Sequence, residues 1–169
     1  PCIVKMDETI TTLPILPDRV AKQILGEKET PIYQFFHMTT LKKLYFDENG
    51  INDHVIEAVS CVVPYMTSLR EFGLRVFRIG PAGIQSLSKA LRHLNGLQYL
   101  CLNGTHMGSE GLEYVSRALP FMGALDTINM DDNQVGPKGM VHFANALPHT
   151  SALRMISLDN NNIGDQGLE

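Results

Sequence analysis

The sequence predicts an α/β fold made of repeated strand–helix units. A pattern with apolar residues at positions one, four, six and eleven recurs along the chain, and each start lies 28 residues after the previous one. Within each unit the apolar spacing changes from two, typical of a strand with one buried face, to three and four, typical of a helix. Self-similarity of this kind specifies the fold class before any single element is assigned. The five starts are Leu41, Leu69, Leu97, Leu125 and Leu153.

The residues of one unit indicate where the strand ends and the helix begins. In the third unit Leu100 and Leu102 have strand spacing, whereas Leu112, Val115 and Leu119 have helical spacing. In four of the five units a glycine stands where the chain leaves the strand, because glycine accepts backbone dihedral angles that other residues resist. These glycines are Gly80, Gly108, Gly136 and Gly164.

The repeat resembles the leucine-rich repeat of the ribonuclease-inhibitor type, and the resemblance covers residues 41–169. It implies a right-handed, horseshoe-shaped solenoid with parallel strands on the concave face and helices on the convex face. The same class of repeat occurs in ribonuclease inhibitor, in nucleotide-binding leucine-rich repeat immune receptors, in the activating protein of the GTPase Ran and in tropomodulin. The motif does not choose among them. Extracellular members usually end in cysteine clusters, and none is present, so the resemblance implies an intracellular, cytoplasmic location.

The repeats define two regions of the chain. Residues 1–40 do not match the strand half of a unit, and we expect a partly helical N-terminal capping segment there. Residues 41–169 form the repeats, of which the last is incomplete because it stops one turn into its helix. We therefore expect the natural protein to continue beyond Glu169.

The strand pattern also predicts which side chains face outward. Because the apolar side chains at positions one, four and six point into the core, positions three, five, seven and eight face the concave surface. Tyr45 and Tyr99 are the expected anchors, since an aromatic side chain contributes a large contact area at low entropy cost. The alternative is that the side chains at these positions only face solvent, and that a partner binds elsewhere on the chain. The predicted partner-binding residues are Lys43, Tyr45, Asp47, Glu71, Arg75, Tyr99, Asn103, Asn129, Asp131 and Asp159.

The second unit departs from the pattern at position nine. Phe77 stands where three other units have asparagine, whose side chain could satisfy backbone groups as the chain leaves the strand. We expect this unit to turn differently, to leave those groups to water, or to place Phe77 at the rim beside Arg75 and Arg78.

Catalytic and metal-binding patterns are weak. Asp131, Asp132 and Asp159 could form a carboxylate or cation site, but no histidine or serine is predicted beside them and these columns are commonly polar on solvated strands. The six histidines lack ligand spacing, and the chain has neither a GxSxG motif nor a phosphate-binding glycine loop with lysine. We predict that the chain is not an enzyme and needs no metal or cofactor.

The leading functional hypothesis is a non-catalytic scaffold that binds a protein through its concave strand face. The net charge of −4 argues against nonspecific nucleic-acid binding, and no apolar run is long enough to span a membrane. The mixed outward residues suit a polypeptide surface better than a small-molecule pocket. Two alternatives follow from the resemblance: a GTPase-activating scaffold, with Arg75 or Arg78 contributing a charge, and a ligand-sensing fragment of an innate immune receptor.

Overall fold

Strands and helices alternate along the chain in the computed structural model, which describes residues 39–46, 52–75 and 78–165. The α/β class is therefore confirmed. Of the predicted capping segment, only residues 39 and 40 are described, and both are helical. The last residues of the fifth repeat, 166–169, lie outside the described ranges. The elements are β1 (Lys43–Phe46), α1 (Asp53–Val62), β2 (Glu71–Arg75), α2 (Pro81–Leu91), β3 (Tyr99–Asn103), α3 (Gly108–Ala118), β4 (Thr127–Asn129), α4 (Gly136–Ala146) and β5 (Met155–Ser157), with short 3-10 helices at Val63–Tyr65, Leu119–Phe121 and Leu147–His149.

The strands form one parallel sheet in the order β1-β2-β3-β4-β5. Its register follows the repeat, because each paired residue lies opposite the one 28 positions later in the chain. Residues at the same position of successive units therefore lie side by side in rows across the sheet. One such row is Lys43, Glu71, Tyr99, Thr127 and Met155.

The helices cover one face of the sheet. Apolar side chains at positions four and six of the strands share one core with the inward residues of the helices, and each helix packs against the next. Phe72 is fully buried and meets Phe46 edge to face, with ring centroids 6.2 Å apart. Within the described ranges, every helix is too short or too polar to cross a lipid bilayer.

Buried polar side chains at position nine join successive units where the strands end. Asn133 donates through Nδ2 to three main-chain carbonyl oxygens at 2.6, 2.9 and 3.0 Å. Its Oδ1 accepts from the Thr105 hydroxyl at 2.7 Å and from the Met107 N–H at 3.4 Å. Asn161 makes the same kind of contacts one unit later. These side chains satisfy backbone groups that would otherwise be buried without a partner.

The turn that follows each strand is uniform in the third and fourth units. Gly108 and Gly136 have φ angles of 63° and 61°, the left-handed region that favours glycine. Their N–H groups donate, each at 3.0 Å, to the main-chain oxygens of Asn133 and Asn161 in the next unit. The expectation that glycine is needed at this turn holds for both.

The second unit turns differently, as its sequence indicated. Gly80 has a φ of −67°, so the expectation of an unusual glycine conformation is wrong there. Ile79, one residue earlier, donates to the main-chain oxygen of Thr105 at 3.0 Å, and the Gly80 N–H donates instead to Asp53 Oδ1 at 2.7 Å. The hydrogen-bond pattern is thus displaced by one residue, and α2 begins one position later than α3 and α4. Phe77 itself lies outside the described residues.

Candidate protein-binding face of the sheet

The outward side chains of positions three, five and seven form the sheet face opposite the helices, called here the outer sheet face. The register brings the predicted residues together in rows, as the sequence indicated. Lys43, Arg75 and Asp159 are exposed. Asp47 lies outside the described residues, and Arg78 is exposed in the loop before α2 rather than on a strand. The half-buried members are Tyr45, Glu71, Tyr99, Asn103, Asn129 and Asp131.

Tyr45 lies flat across the neighbouring strand because the next unit has glycine in its row. Gly73 is the register partner of Tyr45, and a Cβ atom placed on Gly73 would overlap two carbons of the Tyr45 ring. The glycine thus makes room for the ring at the surface of β2. This fixed position differs from that of a tyrosine side chain free to rotate in solvent.

The Glu71 carboxylate holds the ring from the other side. Tyr45 donates its hydroxyl hydrogen to Glu71 Oε2 at 2.7 Å, and Lys43 Nζ contacts Oε1 at 2.8 Å. The hydrogen bond from Lys43, followed by that from Tyr45, holds the pKa of Glu71 below its ordinary value. Burial, and then the bond to the ionised Glu71, raises the pKa of Tyr45 above its ordinary value. Both groups therefore keep their usual charge states at neutral pH.

Arg75 and Tyr99 extend this group onto β3. The Arg75 guanidinium lies over the Tyr45 ring, 5.5 Å from its centroid. Burial raises the pKa of the Tyr99 hydroxyl, the neighbouring Cys101 thiol adds to the rise, and Arg75 opposes it. We refer to Lys43, Tyr45, Glu71, Arg75 and Tyr99 as the tyrosine–arginine cluster.

The other half of the outer sheet face is acidic and polar. Asp131 accepts a hydrogen bond from the Ser157 hydroxyl at 2.7 Å and from the Asp159 N–H at 2.8 Å. Its own N–H donates to the side-chain oxygens of Asn103 at 3.2 Å and Asn129 at 3.1 Å. Asp131 therefore connects β3, β4 and β5 along the face. Among the described residues no group of three His, Cys, Asp or Glu side chains is placed to hold a metal ion.

A cleft of about 560 Å³ lies beside the cluster, where the strands begin. Glu71, Tyr99 and Thr127 line it from the outer sheet face. The other polar lining residues are Gln98, Asp126 and Arg154, which occupy position two of successive units. Sequence reasoning missed these three because it assigned position two to neither the core nor the outer face. Their shared position and polar character were the available signal.

Two solved structures have the same arrangement of elements. One is a domain described as "Leiomodin-1 Actin-Binding Site 2 (ABS2)", with a TM-score of 0.65 and 16% sequence identity over 83% of this chain and 75% of that one. The other is the tropomodulin C-terminal domain of Caenorhabditis elegans, with a TM-score of 0.63 and 12% identity over 84% of this chain and 81% of that one. The chain shares the fold of these two domains. No protein-family model and no curated protein matches it.

The leiomodin and tropomodulin domains correct the assignment made from the repeat. The chain was expected to be a leucine-rich repeat protein of the ribonuclease-inhibitor type, and this assignment is wrong, because the solved structures that share its fold include a leiomodin and a tropomodulin domain. The 28-residue spacing specifies the strand–helix unit and its register, but it does not specify the family that uses them. The GTPase-activating alternative finds no support in these two structures either. Of the two arginines offered for a contributed charge, Arg75 lies over the Tyr45 ring and Arg78 is exposed in the loop before α2.

Proposed function

We propose that the chain is a non-catalytic protein-binding module whose partner contacts the outer sheet face at the tyrosine–arginine cluster. The observation that carries this proposal is the grouping of Tyr45, Tyr99 and Arg75 on the surface of three adjacent strands. Tyrosine and arginine are the residue types that most often dominate the energetics of protein interfaces. Gly73 and Glu71 hold the Tyr45 ring in place, so this side chain loses little conformational entropy on binding.

The charge distribution on the face restricts the kind of partner. Cations Lys43 and Arg75 lie on β1 and β2, whereas the carboxylates of Asp131 and Asp159 lie toward β5. A complementary partner carries acidic groups opposite the cluster and basic groups opposite the acidic half. The adjacent 560 Å³ cleft, which Tyr99 and Thr127 line, has room for a side chain of that partner.

Actin is the first partner to test. The leiomodin-1 domain that shares the fold is described as an actin-binding site. We propose that this chain also binds actin, and that it does so in the cytoplasm. We further propose that the outer sheet face is concave, as expected from the repeat.

The test is a co-sedimentation experiment with filamentous actin, paired with a binding titration on monomeric actin. Tyr99→Ala and Arg75→Ala should each weaken binding by about tenfold or more, as expected for interface hot spots. Val141→Ala is the matched control, because Val141 is 59% exposed on α4, away from the outer sheet face, and it should leave binding unchanged. Urea denaturation of each variant verifies that a lost interaction does not reflect unfolding.

Two outcomes would overturn parts of this proposal. If the wild-type chain binds neither form of actin, actin is rejected, and the proteins captured by wild type and by Tyr99→Ala then test the face itself. If Tyr99→Ala and Arg75→Ala bind the partner as tightly as wild type does, the outer sheet face is not the binding surface.

A further inference from the structure

A basic cleft lies between α2 and α3, on the helical side of the molecule and away from the proposed protein-binding face. It encloses about 170 Å³. The residues that matter are Gln85, Ser88, Lys89 and Arg92 from the second unit and Tyr114 and Arg117 from the third.

Three cationic side chains line this cleft. Lys89 and Arg117 occupy the same position of successive units, so they lie on neighbouring helices. Lys89 has no carboxylate within ion-pair distance in the described part of the chain. The Arg92 guanidinium stacks over the ring of Phe121, with its central carbon 3.9 Å from the ring centroid. These groups give a local positive charge to a chain whose net charge is −4.

Two carboxylates lie nearby and are already engaged. Glu113 pairs with Arg117 and lies 3.7 Å from His142 Nε2. Glu110 accepts the hydroxyl hydrogen of Tyr114 at 3.1 Å. Neither carboxylate is a lining residue of the cleft. Lys89 and Arg92 therefore have no carboxylate partner among the described residues, whereas Arg117 keeps its ion pair with Glu113.

The second unit departs from the other units at two lining positions. Arg92 stands where the first, third and fourth units have Pro64, Pro120 and Pro148, and no 3-10 helix follows α2. Gln85 stands where the neighbouring helices carry Glu57 and Glu113. The framework of the repeat requires neither change, and both make the cleft more positive.

Ser88 supplies an independent observation. Its residue is 4% exposed, and its hydroxyl is the one buried side-chain polar atom without a hydrogen-bond partner among the described residues. Its equivalents Ser60 and Ser116 donate to main-chain oxygens one turn back, at 2.6 and 2.7 Å. An unpaired buried hydroxyl costs free energy. Ser88 lines the cleft, and its hydroxyl can turn toward a bound ligand without breaking a hydrogen bond within the described part of the chain.

We propose that this basic cleft binds the phosphate group of a phosphomonoester. A phosphomonoester carries about −1.5 to −2 charges at neutral pH and three acceptor oxygens, which suits one lysine, two arginines and a hydroxyl better than a single carboxylate does. Guanidinium groups match phosphate oxygens in geometry. A volume of about 170 Å³ has room for one phosphate group, and the rest of the ligand extends out of the cleft.

The test is a titration of the ¹⁵N-labelled chain, followed by amide chemical shifts at constant ionic strength. Inorganic phosphate and N-acetyl-phosphoserine amide should shift residues 85–92 and 114–118 in a saturable manner, whereas acetate should not. Arg92→Pro, which restores the residue of the other units, and Arg92→Gln should each weaken binding at least tenfold. Arg78→Gln removes the same charge from an exposed site in the same unit and should leave binding unchanged.

Equal shifts with acetate, shifts that do not saturate, or unchanged affinity in both Arg92 variants would overturn the proposal. Vesicles distinguish the source of the phosphate. Binding to vesicles that contain phosphatidylinositol bisphosphate but not to those with phosphatidylserine, abolished by Arg92→Gln, assigns the phosphate to a lipid headgroup. If phosphoserine amide binds in solution and the vesicles do not, the ligand is a soluble phosphomonoester.

Discussion

Glu71 connects the two side chains that the first strand presents on the outer sheet face. Its ionised form accepts from both Lys43 and Tyr45, and these bonds lower its pKa in the folded chain. In the unfolded chain the pKa of glutamate returns to about 4.3. The stabilisation is therefore complete above that pH and is lost as the pH falls through the lower, folded-state pKa.

Glu71→Gln should consequently destabilise the chain at pH 7 and much less in acid. Because solvent screens the pair, the loss at pH 7 should be about 0.5–1 kcal/mol. Urea unfolding of wild type and variant at pH 7 and near pH 3 measures the difference. Tyr45→Phe, which removes one of the two bonds and keeps the ring on Gly73, should show a smaller pH-dependent loss. If the difference in the free energy of unfolding between Glu71→Gln and wild type grows as the pH falls, the ionised Glu71 carboxylate is not the source of the stabilisation.

A second prediction at the residue scale separates backbone conformation from packing. A Cβ atom on either Gly108 or Gly123 would meet nothing within 4 Å, but only Gly108 has a positive φ, of 63°. Gly108→Ala should cost about 1 kcal/mol, since alanine is strained in the left-handed region. Gly123→Ala should be neutral or slightly stabilising. Urea midpoints compare the two, and equal effects would show that the turn does not require glycine.

At the scale of the elements, the buried polar side chains at position nine, Thr105, Asn133 and Asn161, join successive strand–helix units. Asn133 is fully buried and bonds to main-chain groups of two units at once. Asn133→Ala leaves three carbonyl oxygens, one hydroxyl and one main-chain N–H without this partner, and should cost about 3 kcal/mol or more. The exposed Asn145→Ala on α4 should change stability by less than about 0.5 kcal/mol. A loss below about 1 kcal/mol for Asn133→Ala, measured by urea unfolding, would mean that water replaces its bonds.

The turn of the second unit could be predicted only in part from the sequence. The sequence showed that this unit departs from the repeat, because Phe77 replaces asparagine. It did not show how the turn after β2 differs from the other turns. The one-residue displacement at Gly80 depends on Asp53, a residue of the preceding helix whose carboxylate accepts the Gly80 N–H. Position-by-position comparison of units cannot identify such a contact, because the other units offer no equivalent. Likewise, the position of the Tyr45 ring depends on a contact with another unit, because the ring lies over Gly73 of the next strand.

For the molecule as a whole, the repeat was sufficient to predict the α/β class and the rows of outward residues, because a constant period imposes a constant register. The parallel sheet was expected from the family resemblance and not from the period alone. The repeat was insufficient to predict the family, since different families use the same unit. It also left the cleft beside Tyr99 unpredicted, because that cleft depends on long side chains such as Arg154 at position two rather than on the framework.

The same architecture predicts that the energetic cost of one substitution depends on its place in the stack. Ile128 and Ile156 occupy position four of successive strands and are register partners, but Ile128 is fully buried whereas Ile156 is 41% exposed. β4 pairs with a strand on both sides, and in the described part of the chain β5 pairs with β4 alone. Each unit is stabilised mainly by its neighbours, so packing against two of them should make a residue costlier to remove.

Ile128→Ala should therefore cost about 3–4 kcal/mol, and Ile156→Ala about 1–2 kcal/mol, although the deleted atoms are identical. Urea unfolding measures both values, and hydrogen exchange adds a second readout in which the amides of β5 exchange faster than those of Leu100 and Leu102. Equal costs would contradict this account, because they would require Ile156 to be covered as completely as Ile128 in solution. In that case another surface packs against β5, and the exchange rates of its amides would match those of β3.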